Sequence, residues 1–182
     1  MEIIRDVQSI LDAIGKKKPK ILGIDGIDGV GKTAIAVKLD LEFGYVRVSL
    51  DDHLEKNQKG YFNFIDYKKL KSKIELCKGK FLVIEGVLLQ KVLNKIGVKP
   101  NFMIYMSNIV WVYDWLEDFQ GKYYGLKLEE IIDEVEKGVN KLNEATTPDA
   151  KPYKMSGFRR EIYEYTYAYL PWEKADLVYV ES

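Results

Sequence analysis

The sequence predicts an α/β fold in which a five-stranded parallel sheet carries helices on both faces. β-type runs alternate with helical segments along the chain, and the first strong apolar run leads through a glycine-rich turn into a helix. This alternation is typical of parallel sheets with crossover helices. The length of 182 residues and the hydrophobic content of 47% fit one globular domain with a substantial core. We therefore expect residues 1–182 to form a single domain.

The first segment, residues 1–19, reads as an amphipathic helix followed by a basic link. Ile3 and Ile14 belong to a set of apolar residues at helical spacing, and Gly15 is expected to end that helix. Charged residues interrupt the set, so no secretory segment is expected. The longest uncharged run, residues 100–113, is shorter than the ~20 residues that a membrane helix needs. We therefore expect no membrane partner.

Charge and single-occurrence residues narrow the class of protein further. The 28 basic residues balance the 28 acidic residues, so no net field attracts nucleic acid, and small molecules are the expected partners. The single cysteine, Cys77, excludes an internal disulfide and fits a reducing cytoplasmic location. The single histidine, His53, cannot form a multi-histidine metal site. We assign it to the pocket of a substrate or to packing.

Residues 20–33 read KILGIDGIDGVGKT, an apolar run followed by a complete phosphate-binding loop pattern. Glycines let backbone N–H groups point inward, and the following helix adds positive potential at its start. The pattern predicts a P-loop NTPase fold with ATP and Mg²⁺ as cofactors; a glycine-rich turn that binds nothing is the alternative. Lys32 would reach the β- and γ-phosphates, and the Thr33 hydroxyl would bind Mg²⁺. The expected nucleotide-binding residues are Gly26, Asp28, Gly29, Val30, Gly31, Lys32, Thr33 and Ala34.

The second and third predicted strands both end at acidic residues. Asp51 and Asp52 follow residues 45–50, and Glu85 follows residues 81–84. Ligands of open parallel sheets bind beyond the carboxyl ends of the strands, so these acids are placed for chemistry on a nucleotide or its acceptor. The alternative for the aspartate pair is a capped turn.

The rest of the chain supplies two more strands and three more helices. The strands are residues 102–106 and 177–180. The helix at residues 64–77 has Leu70, Ile74 and Leu76 on its expected buried side, and residues 126–143 form a second helix before a loop at residues 144–157.

The segment before the last strand is ambiguous because its tyrosines fit two periods. Tyr163, Tyr165, Tyr167 and Tyr169 alternate as in a strand, yet Tyr165 and Tyr169 also continue a helical face. We predict a helix because the layer pattern needs one there. A stacking platform for nucleic acid is the alternative, but no basic excess surrounds the tyrosines.

The order IDGIDGVGKT, VSLDDHL and FLVIEGVLL resembles the P-loop nucleoside kinases, the group that includes uridine kinase, phosphoribulokinase and pantothenate kinase. Within this group the chain is most similar to nicotinamide riboside kinase. The resemblance covers residues 20–90. It implies that Asp51 is the general base, that Glu85 holds the Mg²⁺ water shell or the acceptor ribose, and that Asp52 assists at the acceptor or the metal. The implied metal site comprises Thr33, Glu85 and Asp51, and the implied acceptor site comprises Asp52, His53 and Glu85.

One departure from this family concerns the lid, residues 109–125. The family usually carries arginines there, whose planar guanidinium groups clamp the transferring phosphoryl group. This segment contains no arginine and is acidic at Asp114, Glu117 and Asp118. We predict that Arg159 or Arg160 fills the catalytic role from the C-terminal helix, with Lys122 or a merely solvated helix face as alternatives.

The sequence as a whole predicts an ATP-dependent kinase that transfers the γ-phosphoryl group to a hydroxyl of a small nucleoside-like metabolite. Two alternatives remain. One is a catalytically weak nucleotide-binding regulatory protein, suggested by the lid without arginines. The other is a toxin-like or polynucleotide kinase that acts on a macromolecule. The sequence carries no signal for the oligomeric state.

Overall fold

The chain folds around a six-stranded parallel sheet. The structure, a computed structural model, describes residues 2–55, 59–115, 121–147 and 150–181. The strand order is β1–β6–β5–β2–β4–β3, and every neighbouring pair is parallel. The strands are β1 (Glu2–Ile4), β2 (Ile21–Gly26), β3 (Val46–Ser49), β4 (Leu82–Glu85), β5 (Phe102–Asn108) and β6 (Leu177–Glu181).

Helices cover both faces of the sheet. They are α1 (Val7–Lys17), α2 (Lys32–Phe43), α3 (Tyr67–Leu76), α4 (Leu89–Ile96), α5 (Ile109–Trp115), α6 (Leu128–Thr146) and α7 (Gly157–Tyr169). One hydrophobic core lies between the sheet and α1 and α2, and the others pack α3 to α7 against the strands. The predicted α/β class with a parallel sheet between helices is therefore confirmed. Two short 3₁₀-helices, Asp51–His53 and Phe62–Phe64, follow β3.

The predicted number of strands was wrong because the chain begins with a strand. Glu2 pairs with Leu177 at the start of a parallel ladder between β1 and β6. The side chain of Asp6 accepts a hydrogen bond from the Ser9 N–H and caps α1, which therefore starts at Val7. Helical spacing across residues 3–14 concealed this cap. The helix also continues through Gly15 to Lys17, and Lys18 ends it in a left-handed conformation.

Other element boundaries moved for similar local reasons. The Asp66 side chain caps α3, so this helix starts three residues after its predicted start at residue 64. Leu70 and Ile74 are buried as predicted, whereas Leu76 is exposed. The segment that contains the four tyrosines is helical, as predicted, and forms most of α7. None of the helices within the described residues is long and apolar enough to cross a membrane.

The strand order places the carboxyl end of β2 at the centre of one sheet edge. β2 lies between β4 and β5. After β2 the chain forms β3 and β4 on one side of β2, and it then crosses to β5 and β6 on the other side. Ligands of open α/β sheets bind at such a point, where the strand order reverses. The loop after β2 and the acids after β3 and β4 therefore meet at this edge.

Candidate active site

The loop of residues 26–33, called the glycine loop below, connects β2 to α2. A Cβ atom on Gly26 would lie 2.0 Å from the Met106 carbonyl oxygen on β5, so only glycine allows the two strands to approach here. Gly31 precedes α2 with φ of 79°, a left-handed conformation that glycine adopts at low cost. The sequence therefore fixes a tight turn that directs the chain into α2.

Lys32 is a buried cation in this turn. Its side chain is 7% exposed, and its Nζ donates a hydrogen bond of 2.6 Å to the Ile27 carbonyl oxygen. Burial lowers the pKa of Lys32, while nearby carboxylates act in the opposite direction. Those carboxylates belong to Asp25, Asp28, Glu85 and Asp51. Lys32 is thus a buried cation whose charge is favoured by several nearby carboxylates and disfavoured by its burial.

Glu85 joins the glycine loop to β3. It is 1% exposed, and its Oε1 accepts a hydrogen bond of 3.2 Å from the Thr33 hydroxyl. The same oxygen accepts hydrogen bonds from Arg47, 3.2 Å from Nε and 3.0 Å from Nη2. Two predicted metal-binding residues, Thr33 and Glu85, are therefore in direct contact.

The oxygen atoms of Thr33 and Glu85 suit a hard divalent cation. Mg²⁺ prefers oxygen ligands, keeps several waters and uses one or two carboxylates together with substrate phosphates. Within the described ranges, no group of three or more His, Cys, Asp or Glu side chains could hold a metal ion by itself. Thr33 and Glu85 could therefore supply part of the ligand shell of such a cation, with the remaining ligands coming from elsewhere.

Asp51 lies at the start of the 3₁₀-helix after β3, where Tyr61 fixes its carboxylate. The Tyr61 hydroxyl donates a hydrogen bond of 2.7 Å to Asp51 Oδ1. Burial raises the pKa of Tyr61, and the negative charge of Asp51 raises it further. The phenol therefore keeps its proton at neutral pH and donates it to the hydrogen bond with Asp51.

Glu161 of α7 holds the segment that carries Tyr61. Its Oε2 accepts hydrogen bonds from the backbone N–H groups of Tyr61, at 3.0 Å, and Phe62, at 2.9 Å. The ring of Tyr61 stacks on Phe158 with centroids 5.2 Å apart. A Cβ on Gly60 would lie 2.6 Å from Glu161 Oε1, so glycine permits this close contact. α7 thus positions Tyr61, and Tyr61 in turn contacts Asp51.

Asp25, the residue of β2 that precedes Gly26, holds the start of the glycine loop in place. It is fully buried, and its carboxylate accepts hydrogen bonds from the N–H groups of Gly26, Leu89 and Gln90 and from the Tyr165 hydroxyl. Burial raises the pKa of Asp25, and the four donors oppose that shift. One side chain therefore ties β2, the start of α4 and α7 together.

We predict that Asp25→Ala lowers the free energy of unfolding by about 3 kcal/mol or more. The substitution leaves buried N–H donors without an acceptor, and each such donor costs about 1–3 kcal/mol. Asp25→Asn should cost less, because one oxygen remains and the Tyr165 hydroxyl can accept from the new amide. Urea unfolding measures both effects.

The matched control for this prediction is Asp28→Ala, which changes an exposed aspartate of the same loop. Its expected effect is within about 0.5 kcal/mol. Equal stability of Asp25→Ala and the unchanged protein would contradict the anchoring role.

Asp52 and His53 follow Asp51 but point to different surroundings. Asp52 is exposed, whereas His53 is half-buried. Burial lowers the pKa of His53, and Lys69 and Lys73 of α3 lower it further against the opposing charges of Asp52 and Asp66. His53 thus lies on the α3 side of this loop, where its surroundings favour the neutral imidazole. Its assignment to a substrate pocket stays a prediction.

Arg159 and Arg160 make contacts within the α6 and α7 region. The Arg160 guanidinium donates to Glu129 at 2.6 Å and to Glu164 at 2.9 Å. The Arg159 guanidinium lies over the ring of Tyr153, 5.8 Å from its centroid. These contacts include no residue of the glycine loop, and the catalytic assignment of both arginines stays a prediction.

The described part of the segment predicted as a lid contributes aromatic side chains to a hydrophobic core. This core also contains residues of β5, β6, α6 and α7. Trp111, Trp115 and Tyr123 contact Tyr163 of α7 through their rings. Lys122, the proposed substitute cation, pairs with Glu134 at 3.3 Å. Residues 116–120, which include Glu117 and Asp118, lie outside the described residues.

Sequence reasoning missed four residues of this site: Asp25, Arg47, Tyr61 and Glu161. The first of them carried a signal, because an acidic residue inside the apolar run of β2 requires a buried partner. The other three owe their roles to partners that are distant in sequence. Local pattern gives no indication of such pairs.

Comparisons with known proteins support the fold. No protein-family model matches the sequence, and no curated protein matches it. A solved structure described as a possible uridine kinase from Bacillus stearothermophilus aligns over 95% of this chain and 96% of its own, with a TM-score of 0.51 and 17% identity. An uncharacterized protein from Eubacterium ventriosum aligns over 88% of this chain and 87% of its own, with a TM-score of 0.35 and 15% identity. At this identity, the first similarity shows a shared α/β fold.

Proposed function

We propose that this protein is an ATP- and Mg²⁺-dependent kinase that transfers the γ-phosphoryl group to a hydroxyl of a small nucleoside-like metabolite. The observation that carries the proposal is the contact of Thr33 with Glu85 beside the buried Lys32, with Asp51 at the next strand end. A phosphate-binding sequence and the acids that phosphoryl transfer needs thus share one sheet edge. The fold shared with a possible uridine kinase agrees with this proposal.

The glycine loop is the proposed binding site for the ATP phosphates. α2 starts at Lys32, so its first N–H groups and its dipole favour an anion at this point. Lys32 would exchange the Ile27 carbonyl oxygen for phosphate oxygens. The glycine-loop residues Gly26, Asp28, Gly29, Val30 and Gly31, together with Ala34, would surround the phosphates through their backbone.

Thr33 and Glu85 are the proposed holders of the metal, with Asp51 on the acceptor side. A bound Mg²⁺ would neutralise charge on the β- and γ-phosphates. The Thr33 hydroxyl would contact it directly, and the Glu85 carboxylate would accept hydrogen bonds from its waters.

Asp51 is the proposed general base. Its carboxylate would take the proton of the acceptor hydroxyl as that oxygen bonds to the γ-phosphorus, and the bond to the ADP oxygen breaks in line. Tyr61 holds one oxygen of this carboxylate, which leaves the other for the acceptor. Asp52 and His53 would contact the acceptor beyond this point.

We predict that ATP with Mg²⁺ raises the melting temperature and that at least one acceptor supports turnover. The stabilisation follows from binding to the folded state alone, about 2.7 kcal/mol when the ligand is at 100 times its Kd. The measurement is a thermal melt followed by a panel of nucleosides and vitamin-like ribosides with labelled ATP. A melting temperature that ATP with Mg²⁺ leaves unchanged would refute the nucleotide assignment.

The second candidate is a nucleotide-binding regulatory protein with weak catalysis. The arginine-free segment at 109–125 and the pairing of Arg160 with two glutamates favour it. Such a protein would be stabilised by ATP but would turn over no acceptor of the panel. A toxin-like or polynucleotide kinase would instead bind an oligonucleotide in a salt-sensitive way. The cytoplasmic location stays a prediction.

A further inference from the structure

Arg47 is the arginine that touches the candidate active site. Its Nε and Nη2 both lie within 3.2 Å of Glu85 Oε1, the same oxygen that the Thr33 hydroxyl contacts. The guanidinium and the Thr33 hydroxyl therefore both donate hydrogen bonds to the same carboxylate oxygen. The Arg47 side chain is 31% exposed, so part of it is accessible from solvent.

The register of the sheet explains this position. Arg47 pairs with Val83, and Ser49 pairs with Glu85, in the parallel ladder between β3 and β4. Side chains alternate along a strand, so Arg47 and Glu85 project from the same face. Val83 packs in the core with α2, which identifies this face as the one on which Thr33 lies.

The other three arginines have different surroundings. Arg160 is bonded to Glu129 and Glu164, and Arg159 lies over Tyr153. Arg5 is exposed on the link after β1, the strand at the far edge of the sheet from β3. Arg47 is thus the guanidinium that the fold brings to the glycine loop.

We propose that Arg47 binds the γ-phosphate of ATP and supplies the planar cation that residues 109–125 lack. The inference rests on the proposed function and extends it. Two of the five guanidinium donors are on Glu85, and the others are available to phosphate oxygens.

The charge of the site supports this role. The carboxylates that act on Lys32 would also repel the phosphates of a nucleotide in the glycine loop. A second cation on the same side of the sheet lowers that repulsion. The guanidinium also offers a bidentate geometry that a lysine cannot reproduce.

The test compares the affinities of Arg47→Gln and the unchanged protein for ATP and ADP, each with Mg²⁺, by calorimetry. A contact to the γ-phosphate exists only with ATP. We expect Arg47→Gln to weaken ATP binding at least about tenfold, to leave ADP binding within about twofold, and to lower turnover by about 10²- to 10³-fold. Arg5→Gln, an exposed arginine at the far sheet edge, should change none of these.

A second variant covers the possibility that Arg47→Gln unfolds. Arg47→Lys keeps the charge beside Glu85, so it should fold, keep most of the preference for ATP and lose turnover because a point charge replaces the fork. Thermal melts without ligand verify folding of both variants.

Three results would overturn the inference. If Arg47 only orients Glu85, Arg47→Gln will raise the Mg²⁺ requirement for ATP and ADP alike and leave their ratio unchanged. If Arg159→Gln or Arg160→Gln removes the preference for ATP while Arg47→Gln keeps it, the clamp lies on α7. If the unchanged protein binds neither nucleotide, the proposed function fails and this inference fails with it.

Discussion

Asp51→Asn should lower turnover by about 10²- to 10⁴-fold and leave ATP affinity unchanged or slightly higher. Tyr61 donates to Asp51 Oδ1 at 2.7 Å, and the oxygen of an asparagine amide can accept the same bond. The substitution therefore keeps the local shape and removes the proton-accepting carboxylate. Slightly tighter ATP binding would follow from the loss of one negative charge near the phosphates. Steady-state kinetics with the best acceptor of the panel measures the effect.

Glu85→Gln is the contrasting variant for this prediction. If Glu85 organises the metal, higher Mg²⁺ should partly restore its turnover, whereas no Mg²⁺ concentration should restore Asp51→Asn. Asp52→Asn should raise the KM of the acceptor more than it lowers kcat. Normal turnover of Asp51→Asn with an inactive Asp52→Asn would transfer the base to Asp52. Normal turnover in both aspartate variants would remove the chemical basis of the kinase proposal.

The sequence was sufficient for elements whose signal is local. The apolar runs at β2 to β6 predicted five strands, and alternation with helices predicted their parallel arrangement. β1 was missed because its three residues gain stability from β6, more than 170 positions away, and because Ile3 also fits the period of α1. A short edge strand is defined by its partner and not by its own pattern.

The same distinction applies to the site. The glycine loop, Asp51 and Glu85 could be named from the sequence because a strand end or a motif marks each of them. Glu161 could not, because its carboxylate serves backbone groups 99 and 100 residues away. Arg47 lies in the middle of a strand, and only the register of β3 with β4 places it beside Glu85.

The surroundings of the four arginines depend on contacts that the sequence alone does not show. The sequence points to Arg159 and Arg160 because residues 109–125 contain no arginine and the predicted C-terminal helix carries these two. Arg160 contacts Glu129 and Glu164, whereas the carboxylate that Arg47 contacts, Glu85, also contacts Thr33 of the glycine loop. The spacing of residues in the sequence does not reveal the ion pair between α7 and α6. Glu129, the partner of Arg160 on α6, lies 31 residues earlier in the chain.

Lys32→Met should abolish stabilisation by ATP with Mg²⁺ and lower turnover by at least about 10³-fold, while the ligand-free protein melts at an equal or higher temperature. The loss of function follows from the removal of the cation that offsets phosphate charge during transfer. The gain or neutrality in stability follows from the burial of Lys32, which is 7% exposed and has a lowered pKa.

The sign of the stability effect is a direct consequence of that pKa. A lysine whose pKa is lower in the folded state binds its proton less tightly there than in the unfolded chain, so at neutral pH its charge opposes folding. Methionine is unbranched, fills a similar volume and removes this cost.

Lys38→Met changes an exposed lysine on the same helix. It is the matched control and should keep both ATP stabilisation and turnover. The measurement is a set of thermal melts with and without ATP and Mg²⁺. If ATP with Mg²⁺ stabilises Lys32→Met as much as the unchanged protein, the glycine loop is not the phosphate site. If the ligand-free variant melts far below the unchanged protein, the attraction between Lys32 and the nearby carboxylates stabilises the fold by more than the burial of its charge costs.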